Sequence, residues 1–232
     1  MALRTVYFDL DNTLLDHNKA ESRSHREVYD AFPELQQVPL DEWLETYQKV
    51  NHNLWVKYQD NEIDRHELHF SRFHDSMVKM NLSTENSREI GEAYMKKYRE
   101  NWDWVEQAEE TIRLTSQAYD VGIITNGFKE TQLLKFEQLS MGRFTDRMVI
   151  SEELGVLKPD PKVFDHATEL AGVAREEILY VGDSYSSDIV GGLNAGWETA
   201  WYTNGSEETD VELTPHLSFS DFNDLKKYLK IS

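Results

Sequence analysis

From residue 105 onward the chain alternates amphipathic stretches with short β-rich runs, and this alternation leaves few folds open. The strand-like runs are Val121-Gly122-Ile123-Ile124-Thr125, Met148-Val149-Ile150, Ile178-Leu179-Tyr180-Val181 and Thr199-Ala200-Trp201-Tyr202. Helical stretches near 106–118, 130–139, 161–171 and 187–195 precede them in turn. A short run near 217–219 and a helix through Leu225 and Tyr228 follow, and Val6-Tyr7-Phe8 supplies one more buried strand at the other end. The pattern predicts an α/β fold, Rossmann-like and doubly wound, with a mainly parallel sheet covered by helices on both faces.

A helical block, roughly 18–100, interrupts the alternation after the first strand. Leu40, Trp43, Leu44, Tyr47, Leu54, Trp55 and Tyr58 recur at helical spacing, and Ile63, Phe70, Phe73, Met77 and Met80 mark a second helix. With flanking pieces at 25–32 and 89–98, the block reads as an inserted four-helix cap domain, residues 17–100. Residues 1–16 and 101–232 then form the Rossmann-like catalytic core, with hinges near 15–18 and 101–105. The cap aromatics read as packing between helices. His66 and His69 have no third ligand at matching spacing, so they read as solvated or half-packed; a substrate contact is kept open for His17.

The 232 residues suffice for one large domain or a core with an insert. Asp and Glu number 43 against 24 Lys and Arg, a net charge of -19. That field repels nucleic-acid polymers, and it obliges any phosphate-handling site to supply local cations. Cysteine is absent, which excludes disulfides, thiolate nucleophiles and zinc-thiolate sites. No signal-peptide pattern and no apolar stretch of about 20 residues occur, so a cytoplasmic protein without a membrane partner is expected. The Asn-X-Ser triplets at Asn81 and Asn204 are then chance matches.

Ligands of an open parallel sheet gather beyond the carboxyl ends of its strands, and polar groups collect there. Asp9-Leu10-Asp11-Asn12-Thr13 follows the first strand, and alternation along a strand points Asp9 and Asp11 to the same side. Two such carboxylates repel by about 4 kcal/mol at about 4 Å and an effective dielectric of about 20. A bound cation or a proton relieves this; the alternative is a solvated acidic cluster. Thr125-Asn126-Gly127 ends the next strand. Gly182-Asp183-Ser184 ends another, with Asp188 near a helix start. In Lys158-Pro159-Asp160-Pro161, Asp160 caps a helix beginning at Pro161, a rigid entry that fixes Lys158 on the same edge. Asp9, Asp11, Asp183 and Asp188 thus stand against one lysine, a donor set suited to Mg²⁺.

This set resembles the haloacid dehalogenase superfamily, in its phosphatase branch with a small helical cap. The resemblance rests on the motifs above, with the last extending through Asp188-Ile189-Val190-Gly191-Gly192-Leu193-Asn194-Ala195-Gly196, where Gly196 ends a helix. Within it, the chain is most similar to bacterial pyrimidine 5′-nucleotidases. The resemblance implies a Mg²⁺-dependent phosphomonoester hydrolase acting through an aspartyl-phosphate, with nucleoside 5′-monophosphates as substrates. Asp9 is then the nucleophile and Asp11 the general acid and base. Thr125 and the amides around Asn126 and Gly127 grip phosphoryl oxygens, and Lys158 offsets the charge of nucleophile and phosphate. Asp9, the Asp11 carbonyl and Asp183 hold the metal, while Asp188 either ligates or orients it. The cap closes over the substrate. Alternatives are a phosphatase of a sugar phosphate, phosphoglycolate or another small metabolite, a metal-independent 2-haloacid dehalogenase, and a non-catalytic phosphate-binding regulator. The expected partner is a small-molecule phosphomonoester, and the expected state a monomer or homodimer.

Overall fold

The computed structural model describes residues 2–60, 62–204 and 212–232. The triplet beginning at Asn204 runs outside the described residues. Six strands form one sheet: β1 (Thr5–Phe8), β2 (Asp120–Thr125), β3 (Met148–Ile150), β4 (Ile178–Gly182), β5 (Glu198–Tyr202) and β6 (Leu217–Phe219). Their order is β3-β2-β1-β4-β5-β6, and each neighbouring pair is parallel. The α/β, doubly wound fold expected from the alternation is present.

β1 and β4 occupy the middle of the sheet, and every residue in them is buried. Burial on both faces is why they read as continuous apolar runs rather than alternating ones. The chain leaves β1 for β2 and β3 on one side, then returns to build β4, β5 and β6 on the other. This reversal of strand order opens a crevice beyond the carboxyl ends of β1 and β4.

The chain divides into two compact units, Met1–Asp16 with Asp103–Ser232, and His17–Trp102. The second unit contains α1 (His17–Ala31), α2 (Leu40–Gln59), α3 (Arg65–Lys79) and α4 (Ser87–Glu100). Trp43, Tyr47, Val50 and Leu54 form the buried stripe of α2. In α3 the buried face is Leu68, Arg72, Phe73, Ser76 and Met77. Phe70, expected on that face, is exposed instead and stacks on His74, because it stands two residues from Leu68 and so points away from it.

His25 lies inside this unit, 4.0 Å from the Tyr47 ring and 4.4 Å from the Tyr94 ring, and accepts from Trp43 Nε1 at 3.3 Å. Burial, with Arg72 adding, pushes its pKa down to about 3, so it packs as a neutral ring. His69 Nδ1 lies 2.8 Å from the Arg72 guanidinium, and His17 Nδ1 lies 2.6 Å from the Tyr98 hydroxyl. Among the described residues no histidine joins a group able to hold a metal.

The sheet unit carries α5 (Ala108–Ala118), α6 (Lys129–Gln138), α7 (Pro161–Ala171), α8 (Val190–Asn194) and α9 (Phe222–Leu229). α7 starts as its sequence requires: Pro161 is its first residue, and Asp160 Oδ1 accepts from Lys162 N at 2.9 Å. The helix expected over 187–195 differs. It opens with a π-helical turn, Tyr185–Ile189, before α8 begins. The Asp188 carboxylate folds back onto Ser184 N at 3.0 Å while Ile189 N reaches Ser184 O at 3.3 Å, so this turn is organised around Asp188 rather than by the regular ladder. Among the described residues no helix is long and apolar enough to cross a membrane.

An aromatic cluster fixes one face of the sheet. Trp197 stacks on Tyr7 at 5.5 Å, meets Phe164 edge-on at 5.4 Å, and donates Nε1–H to Thr168 Oγ1 at 3.2 Å. Tyr7 in turn donates its hydroxyl to Ala167 O at 2.8 Å. Trp197→Ala empties the centre of this cluster, and urea denaturation should show a loss of about 3–5 kcal/mol. A loss below about 1 kcal/mol would mean that the cluster repacks without cost.

Candidate active site

Asp9 continues β1 by one residue, its amide donating to Val181 O of β4 at 2.8 Å. The carboxylate is buried, and its Oδ1 lies 2.6 Å from Lys158 Nζ. The same ammonium lies 2.7 Å from Asp188 Oδ1, 2.7 Å from the Tyr180 hydroxyl and 3.2 Å from Ile124 O. Lys158 and Asp188 are both buried. Groups from β1, β2, β4 and the π-helical turn thus meet at one nitrogen.

Asp183 follows β4 directly. Its Oδ1 accepts from the buried Thr13 hydroxyl at 3.3 Å, and its carbonyl accepts from Trp201 Nε1 at 2.9 Å. Asp9, Asp183 and Asp188 each offer a carboxylate oxygen within 4.8 Å of the others. Asp188 is further held by Ser184 N at 3.0 Å and Tyr180 OH at 3.2 Å. Glycine at 182 makes room for this: a Cβ there would stand 2.4 Å from Asp188 Oδ2.

Burial dominates the electrostatics. It pushes the Asp9 carboxyl up to about 7, against the pull of Lys158 and with Asp188 adding to the rise. Burial, then Asp9 and Asp188, push Asp183 up to about 8. Burial works against the Lys158 ammonium, yet Asp188 and Asp9 more than offset it and hold its pKa above the ordinary lysine value. Once all three carboxylates are ionised they exceed the one ammonium by two negative charges, which a single divalent cation cancels. The donors are hard oxygens, the set that Mg²⁺ prefers.

One expectation from the sequence changes. Asp11 does not join the Asp9, Asp183 and Asp188 group. β1 ends at Phe8, and Asn12 turns the chain at φ 62°, so strand alternation no longer governs where Asp11 points. Its Oδ1 lies 2.6 Å from Lys135 Nζ, and its Oδ2 accepts from Gln132 Nε2 at 2.9 Å. The count of one lysine against four aspartates is therefore replaced by two lysines, one for each aspartate of the first motif. For Asn126 the structure adds a second part, beside the main-chain amides expected to bind phosphoryl oxygens. Its side chain is committed to the protein, Oδ1 accepting from Lys158 N and Ser151 Oγ at 2.7 Å each and Nδ2 donating to Lys158 O at 3.0 Å. It braces the Lys158 loop.

Thr125 is buried at the end of β2, and Gly127 lies against Gln132, where a Cβ would stand 1.7 Å from Nε2. Lys135, Gln132, Tyr180 and Thr13 were not picked out as site residues by sequence reasoning. Only α6 carried a signal: Gln132 and Lys135 share one face immediately after the Thr125-Asn126-Gly127 turn.

Residues 6–202 match the family described as haloacid dehalogenase-like hydrolase. The chain is 33% identical to the pyrimidine 5′-nucleotidase YjjG of Escherichia coli, over 97% of this chain and 96% of that protein. Its identity to the pyrimidine 5′-nucleotidase PynA of Streptococcus pneumoniae is 26%, over 97% and 94%. The magnesium-bound crystal structure of YfnB from Bacillus subtilis is similar with a TM-score of 0.85 at 26% identity, covering 100% of both chains. The chain is an enzyme and belongs to the haloacid dehalogenase-like hydrolase family.

Proposed function

We propose that the protein is a Mg²⁺-dependent phosphomonoester hydrolase that works through an aspartyl-phosphate on Asp9, with pyrimidine nucleoside 5′-monophosphates as its substrates. The observation carrying this reading is the buried convergence of Asp9, Asp183 and Asp188 around Lys158. The substrate class rests on the likeness to two proteins named as pyrimidine 5′-nucleotidases. All the residues assigned a role lie in residues 1–16 or 101–232, the catalytic core on this reading, with 17–100 as the cap domain.

The Asp9 carboxylate attacks phosphorus, forming an O–P bond as the bond to the leaving alkoxide breaks. Asp11 gives its proton to the departing oxygen, then takes one from the water that attacks phosphorus and frees Asp9. Lys158 neutralises charge shared by nucleophile and phosphoryl group, and Thr125 with the amides around Gly127 binds phosphoryl oxygens. Asp9, Asp183 and the Asp11 carbonyl would hold Mg²⁺, with Asp188 setting the position of Lys158 and of the Ser184 turn. Bound there, the ion supplies charge stabilisation to the transferring group.

Phosphate release from a panel of phosphomonoesters tests this directly. Turnover is expected with Mg²⁺ and should be lost in EDTA, and Asp9→Asn should abolish it without unfolding the protein. Activity retained by Asp9→Asn, or undiminished in EDTA, removes the reading.

Stability should also respond to pH and metal together. Asp9 and Asp183 titrate near 7 and 8 in the folded protein but near about 3.9 when unfolded. Without metal the folded state therefore binds more protons over about pH 4–8, and that contribution to stability is lost as pH rises through this window. Mg²⁺ competes with those protons, so the gain in Tm from Mg²⁺ over EDTA should grow from pH 5.5 to pH 8. The gain approaches about 2.7 kcal/mol when Mg²⁺ is at about 100 times its Kd. His25 and His69, neutral in the fold with pKa values near 3, favour stability as pH rises toward about 6.5, but they act equally in both arms and cancel. A Mg²⁺ gain that shrinks with rising pH contradicts the assignment.

A further inference from the structure

α6 turns polar residues inward and leucines outward. Gln132 and Lys135 are its buried residues, while Leu133 and Leu134 are 45% and 40% exposed. A helix covering a sheet ordinarily buries its leucines, so something other than core packing sets the orientation of this one. Both inward residues reach the same carboxylate. Lys135 Nζ lies 2.6 Å from Asp11 Oδ1, and Gln132 Nε2 donates to Asp11 Oδ2 at 2.9 Å. One donor on each oxygen fixes the plane of the carboxylate as well as its place.

The arrangement is costly as packing. The Lys135 side chain is 3% exposed, and Gln132 Oε1 is buried with no hydrogen-bond partner among the described residues. A buried ion pair is a weak source of stability compared with apolar side chains of similar size, two of which this helix leaves in solvent. The Gln132 amide also passes directly over Gly127, where any Cβ would collide with it. The turn after β2 and the hold on Asp11 are therefore built as one piece.

We propose that Lys135 and Gln132 are positioning residues for Asp11, holding its carboxylate in the single orientation from which it exchanges a proton with the departing oxygen. This rests on the phosphomonoesterase reading above and adds to it two residues that act through the Asp11 carboxylate. Their effect should appear only where the leaving group needs a proton.

The test compares a nucleoside 5′-monophosphate, with its poor alkoxide leaving group, against p-nitrophenyl phosphate, both in Mg²⁺. Lys135→Met should lower kcat for the nucleotide by about 10²-fold, the low end of what general acid–base catalysis contributes, with a far smaller loss on the aryl ester and little change in KM. Lys135→Arg should restore part of the loss. Gln132→Met should shift the ratio of the two rates in the same direction by a smaller factor, and it reads the proposal even where Lys135→Met does not fold. In an Asp11→Asn background Lys135→Met should leave the ratio unchanged, because both changes remove the same function. Equal losses on both esters, or a further shift of the ratio in the Asp11→Asn background, overturn the proposal while leaving the hydrolase reading intact. An unaltered protein inactive on both esters removes the two together.

Discussion

One buried ammonium organises the centre of this molecule. Lys158 Nζ is surrounded by Asp9 Oδ1, Asp188 Oδ1, the Tyr180 hydroxyl and Ile124 O, all within 3.2 Å. Taking such a charge out of water costs several kcal/mol, and the cost is met only when opposite charge and hydrogen bonds surround it. The partners come from β1, β2, β4 and the turn after β4, which are the elements flanking the reversal in strand order. Asn126 grips the main chain of Lys158 at both its N–H and its carbonyl, so the lysine enters from a braced loop. The contact thus ties β1, β2 and β4 together at the site.

The local charge arrangement also answers a difficulty set by composition. A chain with net charge -19 repels the anion it is proposed to hydrolyse. Its remedy is local: Lys158 and Lys135 are both buried and both stand at the carboxyl edge of the sheet, where the low-dielectric surroundings make each charge count for more than at the surface. What they leave uncompensated is the excess carried by Asp9, Asp183 and Asp188. A divalent cation is the counter-charge that such a group of carboxylates accepts, and the proposed Mg²⁺ would supply it.

The fold was legible because parallel strands buried on both faces read as apolar runs, and residues 6–8 of β1, 121–124 of β2 and 178–181 of β4 are such runs. The helical unit was legible in outline for a different reason, the four- and seven-residue spacing of Trp43, Tyr47 and Leu54. Strand ends mark polar residues by position, so Asp9, Lys158, Asp183 and Asp188 were named from sequence and the structure brings them together. Side-chain direction past the end of a strand was not legible. The turn at Asn12 sends Asp11 to α6, and the bonds of Asn126 run to Lys158, neither of which follows from periodicity. Lys135 escaped because a lysine on a polar helix is ordinarily solvated; its burial depends on the two leucines beside it facing outward, which inverts the usual hydrophobic reading.

Asp9 and Asp11 are the same residue type two positions apart, and the proposed reaction asks opposite things of them. Asp9 must attack as an anion, whereas Asp11 must carry a proton for part of the cycle. Sequence distance cannot separate them, but their surroundings do. Asp9 is buried against a lysine shared with Asp188 and belongs to the group suited to a cation, so metal binding and Lys158 together favour its ionised form. Asp11 is 28% exposed and its carboxylate stands outside that group, so it is reachable by solvent and its side chain is not one of the cation's carboxylate donors. Two carboxylates given different neighbours can divide nucleophile from acid without any difference in their own chemistry. The inward turn of Gln132 and Lys135 on α6 is what holds the Asp11 carboxylate outside the Asp9, Asp183 and Asp188 group.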